Sequence, residues 1–376
     1  MAGVYLHIPF CKQACHYCNF HFSTSMKLQN DFIDALLKEI DIRSDYIQGE
    51  KINTIYFGGG TPSLFTGDQL QRIMRELYLK LNIDASPEIT FEANPDDIDE
   101  QRLITWKQNG INRLSIGIQS FFNEDLVWMN RAHNETQALE CITLAQEEGF
   151  DNMSIDLIYG TPTLTDERWM QNMETAASLN IPHLSCYALT VEPGTVLDYM
   201  TRKKKVLPVN SEDQARQFLR MIDFLGSKRY EHYEISNFSL PGKRSRHNSS
   251  YWSGTKYLGL GPSAHSFNGA SRQWNVANNA LYIKSLENNQ VAFEQEVLSD
   301  SQRFNEYIMT SLRTLEGADI ELAREKFGNA PADELVKKST RFIERGWMKN
   351  ESERLVLTRE GKLFADGIAA DLFEVV

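Results

Sequence analysis

The 376-residue sequence is short of positive charge, of cysteine and of long apolar runs. Its 39 lysines and arginines are outnumbered by 51 aspartates and glutamates, leaving a net charge of −12. Coating nucleic acid demands a basic face, so no nucleic-acid partner is expected. No segment approaches the roughly 18 consecutive apolar residues of a membrane span, and no transmembrane segment is predicted. The N-terminus enters Val4-Tyr5-Leu6-His7-Ile8-Pro9-Phe10 at once, with neither the basic region nor the long apolar core of a secretory signal. A soluble, cytoplasmic protein is the expectation. The five cysteines are odd in number, and three crowd into eight positions. In a cytosolic chain such clustering points to metal rather than disulfides.

What is present suits a large α/β protein. Apolar residues make up 41% and aromatics 11%, ample for a sizeable core. Strand-like runs at Val4–Pro9, Ile52–Phe57, Glu88–Glu92, Arg113–Ile118, Met153–Tyr159 and His183–Leu189 alternate with amphipathic stretches. Consecutive parallel strands need a crossover helix, so the alternation predicts a parallel sheet in a partial (β/α)6 barrel. A full barrel would need about 250 residues and two more clear strands, which the pattern does not offer. Ser211–Leu225 is expected to be a helix with Ser211 as its N-cap. Lys243–Asn275 is expected to be loop with short strands, and Arg202-Lys203-Lys204-Lys205 a solvated turn. From about Ser301 three short helices and a hairpin resemble a winged helix. Its central segment, Asp319–Phe327, is not basic, so a structural or docking role is favoured over DNA binding. The division expected is residues 1–230 as the barrel core, 231–300 as an extension, and 301–376 as the winged-helix-like α+β domain.

Cys11-Lys12-Gln13-Ala14-Cys15-His16-Tyr17-Cys18 follows the first strand, at the end where α/β folds carry their chemistry. A 4Fe–4S cluster takes four thiolates as a rule. Three leave one iron open for the amino and carboxylate groups of S-adenosylmethionine (SAM). The alternatives are a zinc site with a remote fourth ligand, or three packed thiols. The spacing resembles the radical SAM superfamily. Gly58-Gly59-Gly60-Thr61-Pro62, after the second strand, resembles that superfamily's glycine motif; taken alone it would be only a tight turn. Glu92, Gln119 and Asp156 are polar residues at or near strand ends, where an apolar core would not want them unpaired. They are read either as SAM contacts or as a buried bracing network. By resemblance Tyr5, Tyr17, Gly59, Gly60, Thr61, Glu92, Gln119, Arg131, Asp156 and Ala188 fall where the family binds SAM. Cys141 and Cys186 have no spaced partners and are expected to be buried small hydrophobes.

More narrowly, Tyr5-Leu6-His7-Ile8-Pro9-Phe10-Cys11 and these motifs resemble the oxygen-independent coproporphyrinogen III oxidase family. The oxidases carry a further cysteine where this sequence has Phe20, and an N-terminal extension where it has four residues before Tyr5. Their decarboxylase activity is therefore predicted absent. Instead, His247-Asn248-Ser249-Ser250-Tyr251-Trp252 resembles the HNxxYW string of the family's heme-chaperone branch. The resemblance implies a carrier of heme, a 4Fe–4S cluster and SAM that hands heme to acceptor apo-hemoproteins, membrane respiratory enzymes among the candidates. A neutral imidazole is a good heme-iron ligand, so His247 is the candidate, with Lys243, Arg244 and Arg246 facing the propionates. On spacing alone His247 is an ordinary loop histidine. His265 is a weaker second candidate, and His21 and His232 are read as structural. The competing reading is an enzyme, either that oxidase or another radical SAM catalyst. A homodimer is left open.

Overall fold

Along the first strand, β1 (Ala2–Ile8), Val4, Leu6 and Ile8 point into an apolar core while Gly3, Tyr5 and His7 point the other way. That alternation is the period of a strand with two different faces. In the computed structural model, which describes residues 1–374, five more strands repeat it. They are β2 (Ile52–Gly59), β3 (Ile83–Ala93), β4 (Arg113–Gln119), β5 (Met153–Tyr159) and β6 (His183–Ala188). All are parallel and lie in chain order. The crossovers are α1 (Gln29–Ile42), α2 (Gly67–Lys80), α3 (Glu100–Gln108), α4 (Asn123–Trp128) with α5 (Glu135–Glu147), and α6 (Asp166–Ser178). Thr66 and Gln69 form a capping box at the start of α2, and Asn134 and Gln137 do so at α5, which satisfies backbone donors the first turn leaves free.

Beyond β6 come α7 (Val196–Arg202), α8 (Ser211–Ser227), β7 (Glu231–Glu234) and β8 (Asn237–Ser239). The N-cap of α8 is Asn210, not Ser211: its carboxamide oxygen accepts from the backbone N–H groups of Glu212 and Asp213. β8 adds antiparallel to β6, and β7 to β8. The segment expected as loop with short strands holds such a strand, β9 (Lys256–Leu260), paired parallel with β1 on its free side, but also a helix that was not expected, α9 (Arg246–Trp252). Seven parallel strands therefore stand in a row. Its short glycine-containing sequence, Lys-Tyr-Leu-Gly-Leu, gave β9 no readable period. β10 (His265–Phe267), β11 (Ser271–Asn275) and β12 (Phe293–Val297) extend that edge antiparallel, with α10 (Asn279–Glu287) packed on α1.

A buried network fastens this edge to α1. The Glu39 carboxylate accepts from Gly261 N at 2.8 Å, Asn275 Nδ2 at 2.7 Å and Tyr282 Oη at 2.6 Å. Arg43, one turn on, donates to Asn275 and Gln273.

The C-terminal part has its own core, with Phe304, Leu312, Leu335, Phe342, Leu355 and Ile368 at its centre. It consists of α11 (Asp300–Leu312), β13 (Ala318–Asp319), α12 (Ile320–Phe327), α13 (Asn329–Glu344), the hairpin β14 (Met348–Asn350) and β15 (Arg354–Leu357), and α14 (Ala365–Leu372). The helices and three-stranded sheet match the expected extension. Arg313 reaches back to the buried Glu234 at 3.1 Å, and Arg359 to Asp223 at 2.6 Å. Among the described residues no helix is long and apolar enough to cross a membrane.

Candidate functional site

The three clustered cysteines sit on a loop closed at its neck. Cys11 N donates to Ser23 O at 3.0 Å, and Ser23 N to Pro9 O at 2.9 Å. Lys12 anchors one side on Asp96 and on the fully buried Asp97, and Asn130 Nδ2 donates to Ala14 O at 2.7 Å on the other. Cys11, Cys15 and Cys18 are free and half-buried, whereas Cys141 and Cys186 are buried. Burial pushes the Cys11 thiol up to about 11, against a hydrogen bond with Thr61, and it raises Cys18 as well. Arg131 Nη1 lies 3.2 Å from Cys15 Sγ, an ion-pair partner for a thiolate. Among the described residues no three His, Cys, Asp or Glu side chains converge on a single ion. Cluster thiolates bind different irons and need not converge so closely.

Above this loop the ends of β2, β3 and β4 meet. Gly59 adopts φ +100°, and its N–H donates to Glu92 Oε2 at 3.2 Å. A side chain on Gly60 would strike the carbonyl oxygens of Ile8 and Phe10 at 2.6 Å, so only glycine lets this turn press against the cluster strand. Tyr56 donates to the other oxygen of Glu92 at 2.8 Å. Thr61 N donates to Phe10 O at 2.7 Å, and Asn94 joins the Thr61 hydroxyl to Arg131 Nη2. Gln119 ends β4 in a left-handed conformation, φ +65°, which costs a non-glycine residue energy and marks a constrained position. Burial raises Glu92 to about 7, with the nearby Asp156 adding to the rise and Tyr56 opposing it. Asp156, beside Ser185 and Ser115, is raised by burial to about 6.

The structure thus gathers Gly59, Gly60, Thr61, Glu92, Gln119 and Arg131 with the cysteine loop. Tyr5 donates toward His7 Nδ1 at 3.1 Å inside the barrel, and the hydroxyl of the partly buried Tyr17 lies beside Cys15 and Arg131. Ala188 ends β6 at an exposed position, paired with Tyr159 at the end of β5. Asn94, Tyr56, His7 and the Lys12–Asp97 pair were not anticipated. Asn94 and His7 lay within quoted motifs, but their roles depend on contacts across strands.

His247 is not on a loop. The N–H groups of Arg246 and His247 donate to the Glu88 carboxylate on β3, and Ser245 caps Asn248 N, so α9 starts on a non-local acid. The helix carries the His247 imidazole into the barrel interior. There Nδ1 pairs with Thr54 Oγ1 at 2.8 Å, Nε2 pairs with the Tyr251 hydroxyl at 3.0 Å, and the ring stacks on Tyr56 at 5.0 Å. Burial, aided by Arg113, holds His247 down at about 3, so the ring is neutral. Tyr56 then links it to Glu92 and Gly59. Of the basic residues upstream, Arg244 is bound to Glu231 and Glu316, and Arg246 reaches Ser86 O. His265 is exposed at the opposite end of the strands and stacks on Trp274.

Residues 5–194 match the radical SAM superfamily and residues 298–364 the HemN C-terminal domain. A heme chaperone HemW from Bacillus subtilis is 32% identical over 98% of both chains. That of Lactococcus lactis is 32% identical over 96% of this chain and 94% of its own. The chain belongs to the HemW family of radical SAM proteins. HemW of Escherichia coli is 36% identical over a shorter stretch, 70% of this chain and 69% of its own. Among solved structures, coproporphyrinogen III oxidase (HemN) from Escherichia coli superposes with a TM-score of 0.86 at 24% identity. The match covers 100% of this chain and 90% of that one. At that identity HemN shares the fold, and HemW relatives of known name carry the family assignment.

Proposed function

We propose that this protein is a heme chaperone that holds a 4Fe–4S cluster on Cys11, Cys15 and Cys18, binds SAM beside it, and delivers heme to acceptor hemoproteins. The observation that carries the reading is the HNxxYW helix, which seats a neutral histidine in the interior of a chain that aligns with HemW proteins along nearly its whole length. The residues present fit both groups. Three free thiols stand on a closed loop, glycines bring backbone against them, and Arg131 supplies a cation. When reduced, a bound cluster supplies the electron that cleaves a sulfonium C–S bond. Glu92 and Gly59 are positioned to hold a ligand amine, and Arg131, Asn94 and Gln119 to orient its polar groups. Tyr5, Tyr17, Asp156 and Ala188 complete the proposed SAM set.

His247 is the proposed heme ligand. Ligation through Nε2 requires the Tyr251 hydroxyl to leave it, so Tyr251 acts as a cap on the imidazole. The cytoplasm is the proposed compartment, and a homodimer remains part of the proposal. A second reading, a radical SAM enzyme on another substrate, is favoured by the complete polar lining around Glu92 and Arg131. Anaerobic reconstitution followed by parallel assays of heme binding and coproporphyrinogen turnover separates the two. Saturable heme binding without turnover supports the carrier; sustained turnover without heme binding overturns it.

A further inference from the structure

Between α9 and the C-terminal helices lies a cavity of about 930 Å3, within the roughly 300–1,000 Å3 range of small-molecule sites. Tyr251, Trp252 and Tyr257 line it from the barrel side, and Tyr307 and Phe327 from α11 and α12. We infer that this cavity is where the chain seats heme, a flat apolar ring bearing carboxylates, on the premise of the heme-carrier reading above.

The chemistry of the walls fits that ligand. Aromatic faces suit a porphyrin, because they bury large flat area at little cost in side-chain freedom. Of the cations lining the cavity, Arg244, Arg272, Arg303 and Arg354 are each held by a carboxylate, respectively Glu316, Glu306, Asp300 and Asp319. Lys326 is exposed and has no carboxylate partner among the described residues, which leaves it free for a propionate. Ser249 Oγ, Trp252 Nε1 and Arg272 Nε, on lining residues, are buried without a hydrogen-bond partner. Buried donors left unpaired are costly, and polar groups on a ligand would relieve some of that cost.

Position supports the same assignment. Tyr251 both lines the cavity and caps His247 Nε2, so it is the side chain shared by the cavity and the imidazole. Thr255 and Tyr257 put the cavity at the N-terminal end of β9, which runs parallel to β1 with Tyr257 opposite Gly3. The cysteines follow the other end of β1. A seven-residue strand spans about 20 Å, so heme and SAM would occupy opposite ends of the barrel and bind without touching.

The test is anaerobic titration of the cluster-loaded full chain with hemin, beside SAM titrations of the same samples. Lys326→Glu changes an exposed side chain and sets a like charge against a propionate. It should weaken heme binding about tenfold or more, the loss of one charge-assisted contact. Thr310→Trp, which pushes an indole from α11 into the cavity, should abolish binding; Lys326→Glu decides the matter if that bulky variant folds poorly. Cluster content and SAM affinity should stay at wild-type levels in both. If the wild type binds heme saturably and Lys326→Glu and a folded Thr310→Trp bind it equally well, the cavity assignment is wrong while the carrier reading stands. Loss of binding in His265→Ala instead would move heme to the cluster end and equally overturn it. A wild type that binds no heme overturns the carrier reading and the cavity assignment together.

Discussion

Glu92 is the residue whose chemistry is most open to measurement. Its carboxyl, held near 7 by burial with Asp156 close by, lies well above the ordinary carboxylate range. Protons are therefore bound by the native state and not by the unfolded chain between roughly pH 4.5 and 7. This group's contribution to stability falls as pH rises through that window. A ligand amine reverses the preference, because it favours the ionised carboxylate. SAM affinity should thus rise about tenfold from pH 6 to pH 8, following ionisation of a group of pKa near 7. In Glu92→Gln it should be weaker and nearly flat; a Glu92→Gln protein that keeps the wild-type pH profile assigns the titration to another group. At the cysteines, Cys15→Ala should lose the brown chromophore and the iron, while Cys141→Ala and Cys186→Ala keep both. Iron retained in Cys15→Ala would refute the three-thiolate assignment. These side chains were legible from spacing and strand-end position. Asn94 and Tyr56 were not, because their importance lies in partners on neighbouring strands that no local pattern displays.

The elements were readable where period and punctuation agreed. Each of the first six strands is a short apolar run followed by an amphipathic helix, and capping residues such as Thr66 and Asn134 mark where helices begin. β9 and α9 escaped. β9 is five residues long and contains a glycine, and α9 consists of seven residues, Arg-His-Asn-Ser-Ser-Tyr-Trp, mostly poor helix formers. Packing and the distant Glu88 carboxylate make this segment helical, a case of tertiary context overriding propensity. The added edge of the sheet depends in the same way on Glu39. Removing one member of a buried charged network leaves the rest unpaired. Glu39→Ala should therefore lower stability by about 3–5 kcal/mol in denaturant titration. A loss below about 1 kcal/mol, the worth of an exposed pair, would show that the edge is held by packing alone.

Across the whole molecule the two proposed sites share one interior. From Tyr251 at the cavity wall, contacts pass through His247 and Tyr56 to Glu92 and Gly59 beside the cysteine loop. A protein carrying alanine at Cys11, Cys15 and Cys18 should still take up heme, since His247 pairs with Thr54 near the start of the strands while the cysteines follow the other end of β1, but should fail to pass it on. Coproporphyrinogen III should not be converted even with reductant and excess SAM, because the exposed Phe20 occupies the position at which the resemblance to the oxidases implies a cysteine. Delivery is the property that defines a carrier, and it is measured most directly by anaerobic transfer. The cluster-loaded protein is charged with one heme, freed of excess, mixed with an apo-cytochrome and followed by the acceptor's absorbance. The acceptor should fill while the donor's Soret band declines, and His247→Ala should deliver little. A donor that keeps its heme, or an acceptor that fills equally from His247→Ala, contradicts the proposed function.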